Sequence, residues 1–346
     1  MKKKDKIICA AAVVALCAAV LGSCSKKDGG TALGEDTKPI VIRIGNTTAQ
    51  DQILNVTFEE LAKAMNERSG GRIQATVYPS GQLGTLRTMT EALQLGTLEM
   101  STQSPGGLAS FWAPMGVLEL PYMYNNNQEV YDILDGEIGQ ELNERFVEKT
   151  GVRILAYWMN LVRDTTNNIR PITRAEDFRG LKLRVPETKT VVDTIRILGG
   201  NPTPMAFGEL YTALAQGTVD GQENPPSIVY ASKLYEVQKY LSITQHVYTP
   251  TVVTVSEIFW KKLPDDLKNI IMEEVVAARD RSRPISERID NELTEELKKY
   301  MAVNEVDTTG FRQLVQPVYD DLIKSVGQEA KDYIDRIEAA LQAKRR

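Results

Sequence analysis

The segment Gly180-Leu181-Lys182-Leu183-Arg184-Val185-Pro186 carries the most chemically suggestive side chain in this sequence of 346 residues. It alternates as a strand does, so its apolar residues face one way while Lys182 and Arg184 face the other. Arg184 falls at the carboxyl end of that strand, where open α/β sheets place a ligand crevice. A guanidinium there can hold a carboxylate through two parallel hydrogen bonds and stays charged at any working pH. Two plainer readings stand beside this one: a solvated arginine at a strand end, or an arginine salt-bridged to another part of the fold. Local sequence leaves all three open.

Covalent chemistry has little to work with here. His246 is the only histidine, and the three cysteines, Cys9, Cys17 and Cys24, all lie near the start. A Ser-His-Asp or Cys-His arrangement would have to use His246, and no nucleophile-elbow sequence accompanies it. The plain reading of His246 is a packed or surface histidine. Neither GxGxxG nor GxxxxGK occurs, and metal-ligand spacings are missing. Nothing singles out a pair among the 46 acidic residues. A net charge of −5 without a sustained basic run argues against nucleic acid as a partner.

The elements that must hold Arg184 follow an α/β rhythm. Ile40 to Ile44 alternates as a strand, and Phe58, Leu61, Ala62 and Met65 form a helical stripe ending at Gly70-Gly71. Ile73 to Tyr78 is another strand, followed by a helix through Met89, Leu93 and Leu95 to Gly96. After Gly151 come strands at Val152 to Tyr157 and Leu181 to Val185, then a helix from Val191 to Leu198. Phe207, Leu210, Tyr211 and Leu214 share one helical face, with Gly217 at its end. Trp158 to Val162 and Thr249 to Val255 read as strands able to pass between two lobes. Leu267, Ile270, Ile271, Glu274 and Val275 open a long helix that Pro284 should bend or break. This pattern predicts a parallel-rich sheet with helices on its faces, in two α/β halves that form a hinged binder.

The first residues read as an export signal. Lys2, Lys3, Lys4 and Lys6 precede an apolar run from Ile7 to Leu21, too short to span a bilayer well. Leu21-Gly22-Ser23-Cys24 then has the form of a bacterial lipobox, in which Cys24 is acylated and becomes the mature N-terminus. An uncleaved anchor, or an ordinary signal with a chance cysteine, is the alternative. Ser25 to Lys38 is small, polar and glycine-rich, a flexible tether. Residues 1–24 are thus expected to be the signal peptide and 25–39 the tether. The remaining body, about 320 residues with no cysteine beyond Cys24, suits two lobes without disulfides. No later segment has eighteen apolar residues in a row, so lipid on Cys24 would be the membrane attachment.

Several motifs in order carry a family resemblance. Gly199-Gly200-Asn201-Pro202-Thr203-Pro204-Met205-Ala206-Phe207 runs on through Gly208-Glu209-Leu210-Tyr211-Thr212-Ala213-Leu214. Gly217-Thr218-Val219-Asp220-Gly221-Gln222-Glu223-Asn224-Pro225 follows. With Gly180 to Pro186 upstream, Tyr78-Pro79-Ser80-Gly81-Gln82-Leu83-Gly84, Leu120-Pro121-Tyr122 and Tyr235 to Tyr240, the chain resembles the solute-binding subunits of tripartite ATP-independent periplasmic (TRAP) transporters, the DctP family. The resemblance covers Ile40 to Arg346, and its pattern is similar to that of the sialic-acid-type binders.

That resemblance implies a two-lobe periplasmic binding protein fold with hinge strands and a long helix spanning both lobes. Lobe I would be residues 40–160 with 250–289, and lobe II residues 161–249 with 290–346. It gives Arg184 the principal salt bridge to a substrate carboxylate. Arg163, in Arg163-Asp164-Thr165-Thr166-Asn167-Asn168, takes the place of a second arginine, and Phe207 and Asn224 match a further phenylalanine and asparagine. Phe207 could equally begin a core-facing stripe, and Asn224 could simply start the turn into Pro225-Pro226. The first lobe departs from the sialic-acid pattern: residues near Thr85 and Ser104 replace its acidic contacts, and the first loop reads Gly45-Asn46-Thr47-Thr48. Asn46, Thr47, Gln103 and Ser104 suit a hydroxylated acid. Some relatives hold a cation beside the carboxylate, but Phe207 and Gly208 offer no ligands for one, so neither metal nor cofactor is expected. The expected protein is a lipid-anchored, extracytoplasmic receptor, not an enzyme. It would deliver a carboxylate-containing organic acid to the small and large membrane subunits of a TRAP permease. A receptor serving another transporter or a sensor, or an exported enzyme on a similar scaffold, is the alternative.

Overall fold

A computed structural model describes residues 38–346. The signal peptide, lipobox Cys24 and nearly all of the tether lie outside the described residues. Among those described, nine strands form one mixed sheet: β1 (Ile40–Gly45), β2 (Ile73–Tyr78), β3 (Met100–Gln103), β4 (Val152–Asn167), β5 (Lys182–Val185), β6 (Asn201–Pro204), β7 (Gly221–Asn224), β8 (Tyr240–Ser256) and β9 (Ala302–Glu305). Their order is β2-β1-β3-β8-β4-β7-β5-β6, with β9 on β8. The β1/β2, β1/β3, β5/β6, β5/β7 and β8/β9 pairs are parallel, while β3/β8, β4/β7 and β4/β8 are antiparallel. The parallel-rich α/β expectation holds, and two long antiparallel strands join its halves.

Those two strands correct the reading in short pieces. Val152 to Tyr157 and Trp158 to Val162 are one strand, β4, which continues to Asn167, and Thr249 to Val255 is the second half of β8. The β4/β8 ladder shifts register between Ile154 and Ala156, Tyr157 and Asn160, and Arg163 and Thr165. At the last shift Gln245 adopts φ 43° and its N–H donates to Asp164 Oδ1 at 2.9 Å, which fixes the bulge.

Helices cover the sheet as amphipathicity requires. The helix Ile53–Arg68 buries Phe58, Leu61 and Met65 with β1, β2 and Trp158, and the Phe58 and Trp158 rings lie 4.4 Å apart. Each such fully buried side chain stabilises by roughly 1.5–3 kcal/mol. Trp158 Nε1 donates to Val275 O at 3.0 Å, tying β4 to the helix Asp265–Leu297. That helix runs through Pro284 without the break that the proline could have caused. A proline inside a helix removes one hydrogen bond and crowds the preceding turn, at a cost of about 3 kcal/mol. Packing of this helix on β4, on Ile53–Arg68 and on Pro226–Ala231 outweighs it. The neighbouring Arg283 also grips Asp135 at 2.5 Å and Tyr157 O at 2.7 Å. Tyr211 departs from its expected stripe too. The segment splits into a 3-10 turn, Phe207–Glu209, and a helix, Leu210–Ala215, which leaves Tyr211 exposed while Leu210 and Leu214 are buried.

Candidate ligand-binding site

The carboxyl ends of five strands meet around one cavity. β5 ends with Arg184 and Val185, β7 with Asn224, and β3 is followed directly by Ser104. Thr47 lies two residues after β1, and Phe207 three after β6. Arg163 enters from the middle of β4. Together these six residues line a cavity of about 140 Å³, which adjoins a wider cleft of about 340 Å³ sharing Thr47, Ser104, Arg184 and Phe207. Together the two spaces suit a small ligand. These six side chains, with Gln103 beside them, are therefore brought to one place, while Asn46 does not line the cavity.

Arg184 does not behave like its strand neighbour Lys182. Lys182 is exposed, whereas Arg184 is only 3% exposed. Its Nε and Nη2 donate to Met205 O at 3.0 and 2.7 Å, and its Cζ lies 5.8 Å from the centre of the Phe207 ring. It forms no ion pair among the described residues. Burial pushes the guanidinium down to about 10, and the field of Glu223 opposes that drop. Both plain readings fail: the arginine is neither solvated nor salt-bridged. A buried cation without a counter-ion is costly, and a bound anion relieves that cost.

Arg163 is differently placed. Its Nη2 donates to Glu223 Oε1 at 2.9 Å, to Glu223 O at 2.7 Å and to Asn224 Oδ1 at 3.0 Å, and its Nε pairs with Glu223 Oε2. Glu223 also meets His246 Nε2 at 3.3 Å, and His246 Nδ1 meets Thr244 Oγ1 at 2.9 Å. His246 is thus a packed histidine, fully buried, and not a surface one. Asn224 is the last residue of β7, with its side chain bonded to Arg163 and Gln222, so it is more than the start of a turn.

The polar residues of the other wall are partly engaged. Ser104 Oγ accepts from Gly107 N at 3.1 Å, which leaves the hydroxyl hydrogen available to a ligand oxygen. Thr85 likewise caps the helix Leu86–Leu95. Asn46 belongs to the loop's own framework: its amide donates to Asn55 and its oxygen accepts from Thr48, so it is not free for a ligand as expected. Thr47 beside it faces the cavity.

Sequence reasoning missed Glu119 and Glu223. Glu119 is 2% exposed and lines the same cavity. Its signal was available, since it is the lone acid in the run Ala113 to Leu120. Glu223 lies inside a quoted motif, but its partner is sixty residues away.

A family model for bacterial extracellular solute-binding protein, family 7 (DctP) matches residues 44–325. The sialic acid-binding periplasmic protein SiaP of Vibrio cholerae is 37% identical over 270 residues, covering 78% of this chain and 84% of that protein. A TRAP periplasmic solute binding protein of Polaromonas sp. JS666, solved bound to D-erythronate, superposes with a TM-score of 0.81 at 35% identity, over 87% of this chain and 98% of that one. The sugar acid binding protein DctPAm of Advenella mimigardefordensis, solved with galactonate, gives a TM-score of 0.84 at 31% identity, over 89% and 99%.

Proposed function

This chain belongs to bacterial extracellular solute-binding protein family 7, the DctP family of TRAP solute-binding subunits, and we propose that its own cargo is a sugar acid or related organic acid held through a carboxylate on Arg184. The family is periplasmic, its members bind small carboxylates and serve TRAP membrane permeases, and they are binding proteins rather than enzymes. One observation carries the reading: Arg184 is buried at the cavity wall with no counter-ion among the described residues. The acids held by the two solved relatives, erythronate and galactonate, have the chemistry the cavity asks for. In this reading Phe207 covers the carbon skeleton, Asn224 and Arg163 steady the carboxylate, and Thr47 and Ser104 meet hydroxyls.

Capture closes lobe I (40–160, 250–289) on lobe II (161–249, 290–346), with bending at the register shifts of β4 and β8. The test is calorimetry with aldonates, 2-keto acids and succinate, followed by solution scattering with the best binder. The radius of gyration should fall at saturation. An unchanged radius in a protein that binds would argue for a rigid site, and no binding across the series would remove the acid reading.

Lipid on Cys24 would hold this receptor at the extracytoplasmic face of a membrane; among the described residues no helix is long and apolar enough to cross one. Cys24→Ser should release a folded, ligand-binding protein from the membrane fraction. A variant still fully membrane-bound would show that acylation at Cys24 is not the anchor.

A further inference from the structure

We propose that the Glu119 carboxyl, on the wall of the cavity that also holds Arg163 and Arg184, limits this cavity to one negative charge and so selects acids with a single carboxylate over dicarboxylates of the same skeleton. This rests on the reading of the cavity as an organic-acid site. Glu119 is fixed by close packing. Its Oε2 accepts from Gly106 N at 2.7 Å, and a side chain at Gly106 would stand 2.1 Å from that oxygen, so glycine is what lets the carboxyl approach. Its Oε1 is buried without a well-formed hydrogen bond, although the Thr249 hydroxyl lies close enough to stabilise the carboxylate's charge. A polar atom in that condition is costly unless something meets it.

Charge decides what can meet it. Of the two buried guanidinium groups, Arg163 is already taken by Glu223, and only Arg184 lacks an anion. One carboxylate therefore saturates the free positive charge. A second would lack a buried cation: the remaining ionisable wall group of the small cavity is itself acidic, and the wider cleft adds only Arg87, exposed and paired with Glu91, beside two further acids, Glu187 and Glu209. A hydroxyl or carbonyl oxygen, by contrast, can accept a hydrogen bond from the protonated Glu119 carboxyl.

The groups around Glu119 set when it carries charge. Burial pushes the carboxyl up to about 7, against the charge of Arg163 on β4, the Gly106 amide and the Thr249 hydroxyl on β8; Glu223 on β7 adds to the rise. The Tyr124 hydroxyl, held protonated by burial, also faces it. Arg184 stays charged well above this range. Below about pH 7 the carboxyl is neutral and donates; above it the carboxyl is an anion that repels the ligand. Affinity for any acid should thus fall with rising pH, by at most about tenfold per unit for one proton, and the fall should run over a wider pH span, to a larger total, for a diacid. Asp164, raised to about 8 by burial with Gln245, Asp290, Thr244 and Glu305 as its neighbours, also titrates in this range, so the pH effect assigned to Glu119 is the difference between wild type and the Glu119 variant.

The experiment compares matched acids, erythronate with tartrate and galactonate with galactarate, by calorimetry at about pH 6 and about pH 8.5. It uses wild type and Glu119→Gln, an uncharged near-isostere. In wild type the monoacid of at least one pair should bind at least about tenfold more tightly than its diacid, with the gap widening as pH rises. In Glu119→Gln the gap should narrow and lose its pH dependence. A diacid that binds more tightly, or a gap unchanged by pH and by the substitution, would overturn the proposal while leaving the acid site standing. If Glu119→Gln fails to fold, a wild-type gap that does not widen with pH overturns it alone. Failure of all four acids to bind folded wild type would overturn the underlying reading, and this proposal with it.

Discussion

Replacing Arg184 by alanine is expected to weaken acid binding by roughly 30-fold to several thousandfold. Removing one member of a buried, hydrogen-bonded charge pair typically costs ~2–5 kcal/mol, and each ~1.4 kcal/mol is tenfold in affinity. The free protein already holds the Arg184 guanidinium in place through Met205 O and the Phe207 ring, so little ordering cost is left for binding. Arg184→Lys should bind poorly as well, because an ammonium cannot give two parallel hydrogen bonds to a carboxylate. Folding should suffer little, since the arginine has no ion pair to lose among the described residues. Calorimetry on folded Arg184→Ala that returned near-normal affinity would make the arginine structural and remove the site.

Glu223→Ala should act in the opposite manner, on stability before affinity. It strands the buried Arg163 guanidinium and removes an acceptor from His246, and an uncompensated buried charge of this kind costs about 3–5 kcal/mol. Burial works to raise the Glu223 carboxyl, but the Arg163 charge and the His246 hydrogen bond override it and hold the group down at about 2. A depressed carboxyl contributes stability above its ordinary value of 4.5, and that contribution is lost as pH falls toward 2. Urea unfolding should therefore show the variant losing several kcal/mol at neutral pH, with a smaller further loss than wild type in acid. A difference under about 1 kcal/mol at neutral pH would mean the pair is not the brace its geometry suggests. Arg163→Ala strands the Glu223 carboxylate in the same way, so its effect on affinity should be read only beside its effect on folding.

Much of this architecture was legible because burial on one face imposes a period. Ile73 to Tyr78 alternates and is β2, and the helix closing at Gly96 carries an apolar stripe that periodicity detects. The site residues came to light through motifs, and cavity geometry then gathered them. What stayed hidden lacked any period. β7 reads Gly221-Gln222-Glu223-Asn224, four residues all buried, polar beyond its first glycine and indistinguishable from a loop. β6 carries Pro202 and Pro204, which suit only the sheet edge where it lies. For Arg163 the sequence offers only the place of a second ligand arginine, because the acid that claims it lies on another strand. Pro284 does not break its helix because its cost is local, whereas the packing that absorbs it comes from distant elements.

The clasp between β4 and β8 also dictates the order in which the molecule can assemble. Asn167 must find Tyr240, and Val152 must find Ser256, with β5, β6 and β7 threaded between them. Pairings this remote along the chain form late and slowly, since the entropy of closing the loop is lost before any contact rewards it. Thr47 and Ser104, whose strands reach the rest of the sheet only through β3 and β8, stand across from Arg184 only once that clasp exists. An acid present while the chain folds therefore finds half a site, so it should slow the unfolding of finished molecules far more than it hastens the birth of new ones.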